Sequence, residues 1–529
     1  MNLAARIGVR PAFRAVFGAL ARPGWMALTL AAICGALVAL GQAPFGLWWV
    51  ALPAFAGVLM LAVAEPGAVR AGWVGWAAGT GYGATAMFWI VEPFFVEPEV
   101  YGWMAPFALV FMAAGMGLFW ALATVLGAVL GGPALDAGAG RNRRALAMAL
   151  GFGASDLLRG YLFTGFPWVL LGHVWIGTPV MQAAAFVGPV GLTLILALPA
   201  ATAALAPKAR MPALVAAALA VTGLWLAGAA RLAEPMPDRT PALHLRLVQP
   251  NAAQAEKWQP DKMREFFVRH LDLTAAPFTT RPDLIVWPET AVPFLLEDPG
   301  QGLVMVAEAA AGVPVALGIQ RSEGARYYNS LAVIGPDASV QAVYDKFHLV
   351  PFGEYVPFGD LAGRFGLSAF AAQAGHGYSA GPGAQVLDLG RLGLVQPLIC
   401  YEAVFAQDLR AAPRRADWLL QVTNDAWFGA LSGPWQHLAQ ARLRAVESGL
   451  PLARAANTGV SAVIDAKGRI IAFLGMDQAG VVDAALPASL PATVYSRFGD
   501  APVLGFIVAA MALLLRMRSK GVDRGRRRV

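Results

Sequence analysis

Apolar runs of membrane-spanning length fill residues 24–231, with few charges between them, and this constrains the chain more than any other feature. A bilayer's hydrocarbon core needs about 20 predominantly apolar residues per helical crossing. Candidate spans lie at about 24–42, 47–64, 70–92, 104–131, 143–157, 182–206, 210–231 and 500–517. The fifth is the shortest, its apolar stretch ending at Asp156 and Arg159. The first resembles a secretory leader. A second apolar run follows within a few residues, however, and no small-residue cleavage site intervenes, so it reads as a span. Over the whole chain only 14% of residues are charged, against about 25% in soluble domains. The deficit belongs to the spans, because 240–495 has the composition of a globular protein long enough for its own core.

The net charge of +7 would suit nucleic acid if it covered one surface. It flanks the spans instead. Arg6, Arg10, Arg14 and Arg22 precede the first, and Arg516, Arg518, Lys520, Arg524, Arg526, Arg527 and Arg528 follow the last. Such clusters stay on the cytoplasmic side, beside anionic lipid. With the N-terminus inside, Arg70, then Arg141, Arg143 and Arg144, then Lys208 and Arg210 all fall inside as well. The third loop carries Glu92, Glu97 and Glu99 without Lys or Arg and falls outside. Seven crossings leave 232–499 on the outer face, and an eighth returns the basic tail. The expected domains are 1–235 in the membrane, 236–495 outside it, and 496–529 as a last span with its tail.

Of the two cysteines, Cys34 lies inside the first apolar run and Cys400 in the globular part, which argues against a disulfide between them. The globular part alternates strand and helix patterns. Leu243, Leu245 and Leu247 alternate with His244 and Arg246, and Leu284-Ile285-Val286-Trp287 is a short buried-strand run. Further strands are expected at 313–320, 328–335, 340–346, 392–399 and 417–423, with a Pro336-Asp337 turn between the second and third. A helical stretch near 436–456 precedes a hairpin around Asp465-Ala466-Lys467-Gly468. This order predicts an α/β sandwich with mixed sheets.

Three chemically capable residues stand where short apolar strands end, the usual place for sites in α/β folds. Glu289 follows Trp287-Pro288, Lys346 follows Val343-Tyr344-Asp345, and Cys400 follows Leu398-Ile399. Singly, each also fits an ordinary place: a capping carboxylate, a solvated strand end, a core thiol. Together, the segments Trp287-Pro288-Glu289-Thr290, Tyr344-Asp345-Lys346-Phe347-His348-Leu349-Val350-Pro351-Phe352-Gly353-Glu354 and Ile399-Cys400-Tyr401-Glu402 resemble, in order, the Glu, Lys and Cys motifs of the nitrilase superfamily of carbon–nitrogen hydrolases. The likeness runs over about 243–485 and includes Thr423-Asn424-Asp425-Ala426-Trp427-Phe428-Gly429. His348-Leu349-Val350-Pro351-Phe352-Gly353-Glu354-Tyr355-Val356-Pro357 is more particular to the superfamily's membrane-embedded acyltransferase branch than to its soluble amidases.

The chemistry accounts for these residue types. A free thiol of pKa about 8.5 is only a few per cent thiolate at neutral pH, so Cys400 needs a base. Glu289 would take its proton and return it to the leaving group. Lys346 would stabilise thiolate and oxyanion, together with the backbone N–H of Tyr401. The resemblance implies further an αββα sandwich, an essential second carboxylate at Glu354, and support from Tyr401 and Glu402. It makes Trp258 a substrate-contacting residue, which an interfacial aromatic would also explain. Asn329 and Asn424 would shape the pocket. It implies a monomer in a bacterial inner membrane, its catalytic domain in the periplasm, that moves an acyl chain from phospholipid to the N-terminal amine of a diacylglyceryl-modified lipoprotein. The implied route is a Cys thioester without metal or organic cofactor.

The stretch 352–383 holds Phe358, Leu361, Phe365, Leu367 and Phe370 with several glycines, which suits a lid that dips into lipid or, equally, a loop packed on the protein's own core. His173, His244, His270, His376 and His437 form no metal-ligand spacing, and no phosphate-binding or dinucleotide fingerprint occurs. Two rivals remain. A membrane-tethered amidase would use the same residues with water as second nucleophile. A transporter or scaffold would carry charges within several spans, and only Asp156 and Arg159 come near that.

Overall fold

The computed structural model of the protein describes residues 23–132, 138–356 and 377–526. The first half is helical. α1 (Trp25–Ala39) and α2 (Trp48–Ala64) are almost wholly apolar. α3 (Ala68–Ala86) is rich in Gly and Ala, and its small side chains let backbones touch. A Cβ on Gly79 would stand 2.7 Å from the Cα of Gly117 on α4 (Ala105–Gly131), and one on Gly81 would overlap the Ala32 carbonyl of α1. Among helices in lipid, such close packing takes over the role that the hydrophobic effect plays in water.

α5 (Ala139–Tyr161), α6 (Ala184–Ala201) and α7 (Pro207–Ala233) follow. Asp156 and Arg159, which the sequence reading took to end the fifth span, lie within α5 and are buried. The Arg159 guanidinium pairs with Asp156 at 3.2 Å and donates to the carbonyls of Trp168 and Val169, while Asp156 accepts from Thr193 Oγ1 (2.7 Å) and Leu171 N (2.9 Å). The pair supplies its own solvation, so the helix continues past it.

Residues 244–485 form two six-stranded sheets, in the orders β12-β1-β2-β3-β4-β5 and β11-β10-β9-β8-β7-β6. The first comprises β1 (His244–Gln249), β2 (Leu284–Val286), β3 (Val315–Glu323), β4 (Arg326–Ile334), β5 (Val340–Asp345) and β12 (Gly480–Ala485). The second comprises β6 (Leu387–Asp388), β7 (Leu394–Ile399), β8 (Trp418–Thr423), β9 (Leu452–Ala456), β10 (Ser461–Ile464) and β11 (Ile470–Leu474). Each has three parallel central strands, an antiparallel pair on one flank and one antiparallel strand on the other. The two sheets thus share one topology.

Leu247, Val286, Leu331, Ile399, Leu420 and Ala453 meet between the sheets. Phe267 of α8 (Pro260–Ala275) and Val306 of α9 (Gly302–Ala309) cover the first sheet, and Leu438 and Ala441 of α10 (Gly433–Ser448) cover the second. The layering is α-β-β-α. The helix expected over 436–456 stops earlier, because Gly449 takes the left-handed conformation (φ 68°) and Leu452–Ala456 enters the sheet as β9. On its other face α10 packs into the membrane domain, with Leu443 and Val446 part of that domain's core.

α11 (Ala501–Arg526) leaves the sheet domain and packs on α5. Among the described residues, four stretches are long and apolar enough to cross a membrane: Pro98–Gly131, Pro179–Ala204, Pro207–Ala233 and Ala501–Ser519. The sequence reading expects eight, and the difference has physical causes. α1 and α2 are apolar but have only 15 and 17 residues, about 22–26 Å of helix. α3 is diluted by Gly and Thr, and α5 carries Arg141, Arg143, Arg144, Asp156 and Arg159. The region is a polytopic helical membrane domain joined to an α/β sheet domain.

Candidate active site

The strand ends deliver their side chains to one buried point between the sheets. Pro288 has no N–H to give after β2, but its carbonyl accepts from Gly318 N of β3 at 3.1 Å, which holds the Glu289 turn against the sheet. The turn passes so close to β3 that a Cβ on Gly318 would lie 2.5 Å from the Glu289 Cα. Lys346 follows β5, and its N–H donates to the Asn329 carbonyl of β4 at 2.9 Å. Cys400 follows β7 at the first position of a short 3₁₀ turn, with φ at +51°, a strained conformation for a residue with a Cβ.

Lys346 Nζ lies 2.9 Å from both oxygens of Glu354 and 3.6 Å from Glu289 Oε1. Asn329 Nδ2 bridges the two carboxylates, at 2.6 Å from Glu289 Oε1 and 3.0 Å from Glu354 Oε1. Glu289 Oε2 accepts from the Asn424 N–H at 2.8 Å, and Glu354 Oε2 from the Val350 N–H at 2.8 Å. Glu289, Lys346, Glu354, Asn329 and Cys400 are all buried. Burial works against the Lys346 ammonium, but Glu354 foremost, then Glu289 and Cys400, hold its affinity for the proton above that of an ordinary lysine. Burial pushes the Cys400 thiol up, Glu289 adds to this, and Lys346 and a hydrogen bond with Thr423 oppose it. The shift favours the thiol form of Cys400, with Glu289 and Lys346 inside its electrostatic reach.

Glu402 ties the lysine loop to the nucleophile turn. Its Oε1 accepts from Tyr344 OH and Phe347 N, both at 2.8 Å, and its Oε2 from Ile399 N at 2.7 Å. Burial raises its carboxyl to about 7 against these donors. Tyr401 is buried where the sheet domain meets the membrane domain, its hydroxyl 3.4 Å from the Gly165 carbonyl. With Val404 and Phe405 it belongs to the membrane domain's core.

Asn424 offers its backbone to Glu289 and its side chain to Gln254 Oε1 (2.7 Å) and Asn457 Nδ2 (2.9 Å). Trp258 is half-buried, under the Lys257 ammonium, and lines a small cavity with His270, Pro288 and Thr290 behind the Glu289 turn. Lys257 donates to Thr290 Oγ1 at 2.8 Å, and burial lowers it to about 8 although Glu289 opposes this. Phe358, Leu361, Phe365, Leu367 and Phe370 of the expected lid lie outside the described residues. The flanks of that stretch are tied to the site: Tyr378 N donates to Glu354 O, and Gly381 N to Lys346 O.

A further buried layer, which the Glu, Lys and Cys motifs of the sequence do not single out, lies behind Cys400. Asp425 lies beneath Thr423, and Arg454 and His437 hold its carboxyl down to about 2 despite burial. His437 Nδ1 is 2.9 Å from Asp425 Oδ1, and its Nε2 is 3.0 Å from the Cys400 carbonyl. Asp425 stands just past the end of β8, the same signal that singled out the other three residues. Among the described residues no group of His, Cys, Asp and Glu could hold a metal ion.

Residues 245–494 match the carbon-nitrogen hydrolase family model, and 34–202 match the model for the apolipoprotein N-acyltransferase N-terminal domain. The apolipoprotein N-acyltransferase of Rhizobium meliloti is 39% identical over 510 residues, covering 91% of this chain and 95% of that protein. That of Caulobacter vibrioides is 38% identical over 516 residues, covering 93% and 95%. Among solved structures, a nitrilase-superfamily amidase of Nesterenkonia is similar at 20% identity with a TM-score of 0.37, over 51% of this chain and 98% of the amidase.

Proposed function

The chain belongs to the apolipoprotein N-acyltransferase family, and from that membership we propose a two-stage acyl transfer through Cys400. The protein is a multi-pass inner-membrane acyltransferase acting on a lipoprotein N-terminus. In the first stage Glu289 takes the thiol proton while the sulfur attacks an ester carbonyl of a phospholipid. Lys346 and the Tyr401 N–H receive the oxyanion, in a dry site where such donors are strong. The intermediate collapses to a thioester, and the proton on Glu289 goes to the departing alcohol of the lysophospholipid. In the second stage the α-amine of a diacylglyceryl-cysteine attacks the thioester. Glu289 takes the amine proton and returns it to the sulfur as the amide forms.

Glu354 and Asn329 fix the ammonium against Glu289, and Glu402 fixes the lysine loop against the nucleophile turn. Trp258 contacts substrate from the wall behind Glu289. The observation that carries the reading is the convergence from three strand ends, at the seam with the membrane domain, of Glu289 and Lys346, 3.6 Å apart, on a Cys400 thiol that both act on electrostatically. A seam position suits two lipid substrates, since neither needs to leave the bilayer.

The division at 1–235, 236–495 and 496–529, with eight crossings and a periplasmic catalytic domain, is part of the same proposal. It is supported by the basic residues that fall on alternate loops and by α1, α2, α3 and α5 lying beside the four longer helices. Sealed right-side-out vesicles containing the protein, phospholipid donor and an externally added diacylated lipopeptide test reaction and orientation together. Triacylated product is expected there, and in inverted vesicles only after permeabilisation. Glu289→Gln, Lys346→Met and Cys400→Ala should each abolish it; full activity in any of the three, or release of free fatty acid instead of product, contradicts the reading.

A further inference from the structure

The peptide joining Cys400 to Tyr401 is held from behind by two side chains of the second sheet and its covering helix. Cys400 O lies 3.0 Å from His437 Nε2 and 3.3 Å from Gln421 Nε2. All three residues are buried, with His437 and Gln421 at 0% exposure. Burial and Arg454 keep the imidazole neutral, so it carries one N–H: Nδ1 donates to Asp425 Oδ1 at 2.9 Å, Nε2 accepts from Gln421 Nε2 at 3.1 Å, and Asp425 is also paired with Arg454 and Thr423. On the membrane side the imidazole lies against the Trp168 and Phe428 rings, at centroid distances of 5.4 and 5.9 Å. The preceding residue, Gln436, accepts from the indole N–H groups of Trp89 (3.0 Å) and Trp168 (2.8 Å).

In a trans peptide the C=O and the following N–H point in opposite directions across one rigid plane. Fixing the Cys400 carbonyl therefore fixes the direction of the Tyr401 N–H. That N–H is second in the 3₁₀ turn and has no acceptor within it. We propose that Gln421 and His437 are positioning residues that aim the Tyr401 N–H at the oxyanion, Gln421 by clamping the Cys400 carbonyl and His437 by holding the Gln421 amide. They touch neither substrate nor sulfur. The Gln421 hydrogen bond to the carbonyl also polarises the peptide and strengthens its N–H as a donor. The positive φ of Cys400 gives the clamp its purpose: a strained peptide relaxes unless its surroundings fix it.

The proposal rests on the thioester reading, and its test separates the two. His437→Phe keeps a ring against Trp168 and Phe428 but removes both nitrogens, while Asp425 retains Arg454 and Thr423 as partners. Two rates are compared in the full-length protein in detergent micelles with phospholipid: acyl-enzyme formation, and alkylation of Cys400 by iodoacetamide. Alkylation needs the sulfur but builds no oxyanion. Misaiming a donor costs about 10²-fold, so acylation should fall by about that factor in His437→Phe while alkylation stays near the unaltered rate. Equal loss of both rates would mean the sulfur itself has moved, and loss of neither would mean the carbonyl needs no clamp; each overturns the proposal. Gln421→Leu removes the donor itself and is read by the same pair of rates, which covers failure of the histidine variant to fold. An unaltered protein that alkylates but never acylates would sink the thioester reading itself, and the clamp with it.

Discussion

Glu402 has both carboxyl oxygens occupied by donors it cannot exchange: Ile399 N–H on one side, and Tyr344 OH, Phe347 N–H and His348 N–H on the other. Replacing it by Gln turns one oxygen into a donor and faces it against an N–H or a hydroxyl. An unsatisfied buried group costs about 1–3 kcal/mol, so Glu402→Gln should lower the unfolding midpoint in detergent and slow transfer. An unchanged midpoint would mean that the two loops are held elsewhere. The carboxyl's raised pKa of about 7 adds a pH signature. Because the folded state binds this proton more tightly than the unfolded chain does, the group favours folding at low pH and loses that contribution as pH rises toward 7. At this scale the sequence is readable where chemistry sits at strand ends in a motif, as with Glu289, Lys346 and Cys400. It is not readable at His437 and Gln421. A polar residue inside an apolar helix or strand looks like a solvent face until the distant carbonyl it serves is in place, and Cys400 is 37 residues from His437.

Two helices carry the site without touching the chemistry. α10 is buried nearly all round, between the second sheet and the membrane helices, which explains its many buried polar side chains. α5 presents the Asp156–Arg159 pair to the segment 168–171. Gly165, just before that segment, meets Tyr401. Asp156→Leu would leave the Arg159 charge without its carboxylate and two donors, Leu171 N and Thr193 Oγ1, without their acceptor. Breaking a buried pair from one side costs about 3–5 kcal/mol, so the variant should show a markedly lower unfolding midpoint in detergent; an unaltered midpoint would mean lipid or water replaces the carboxylate. The sequence reading placed these elements well but misjudged their ends. Asp156 and Arg159 looked like the close of a span because their mutual solvation is invisible in the chain. The pattern 436–456 looked like one helix because Leu452–Ala456 is as apolar as α10, and only the left-handed Gly449 separates the two.

At the scale of the molecule, the two sheets repeat one topology while their sequences share no visible repeat, since pairing order depends on backbone geometry and not on side-chain identity. The nucleophile turn is the common ground of both domains: Cys400 belongs to the core between the sheets, and Tyr401, Val404 and Phe405 to the core of the membrane helices. The proposed transfer requires Cys400 to carry an acyl chain between two lipids. Intact-protein mass spectrometry after incubation with phospholipid alone tests this directly. A mass gain equal to one acyl chain is expected, absent in Cys400→Ala and removed on adding a diacylated lipopeptide. A folded protein that gains no mass, or that gains it equally without Cys400, would contradict it.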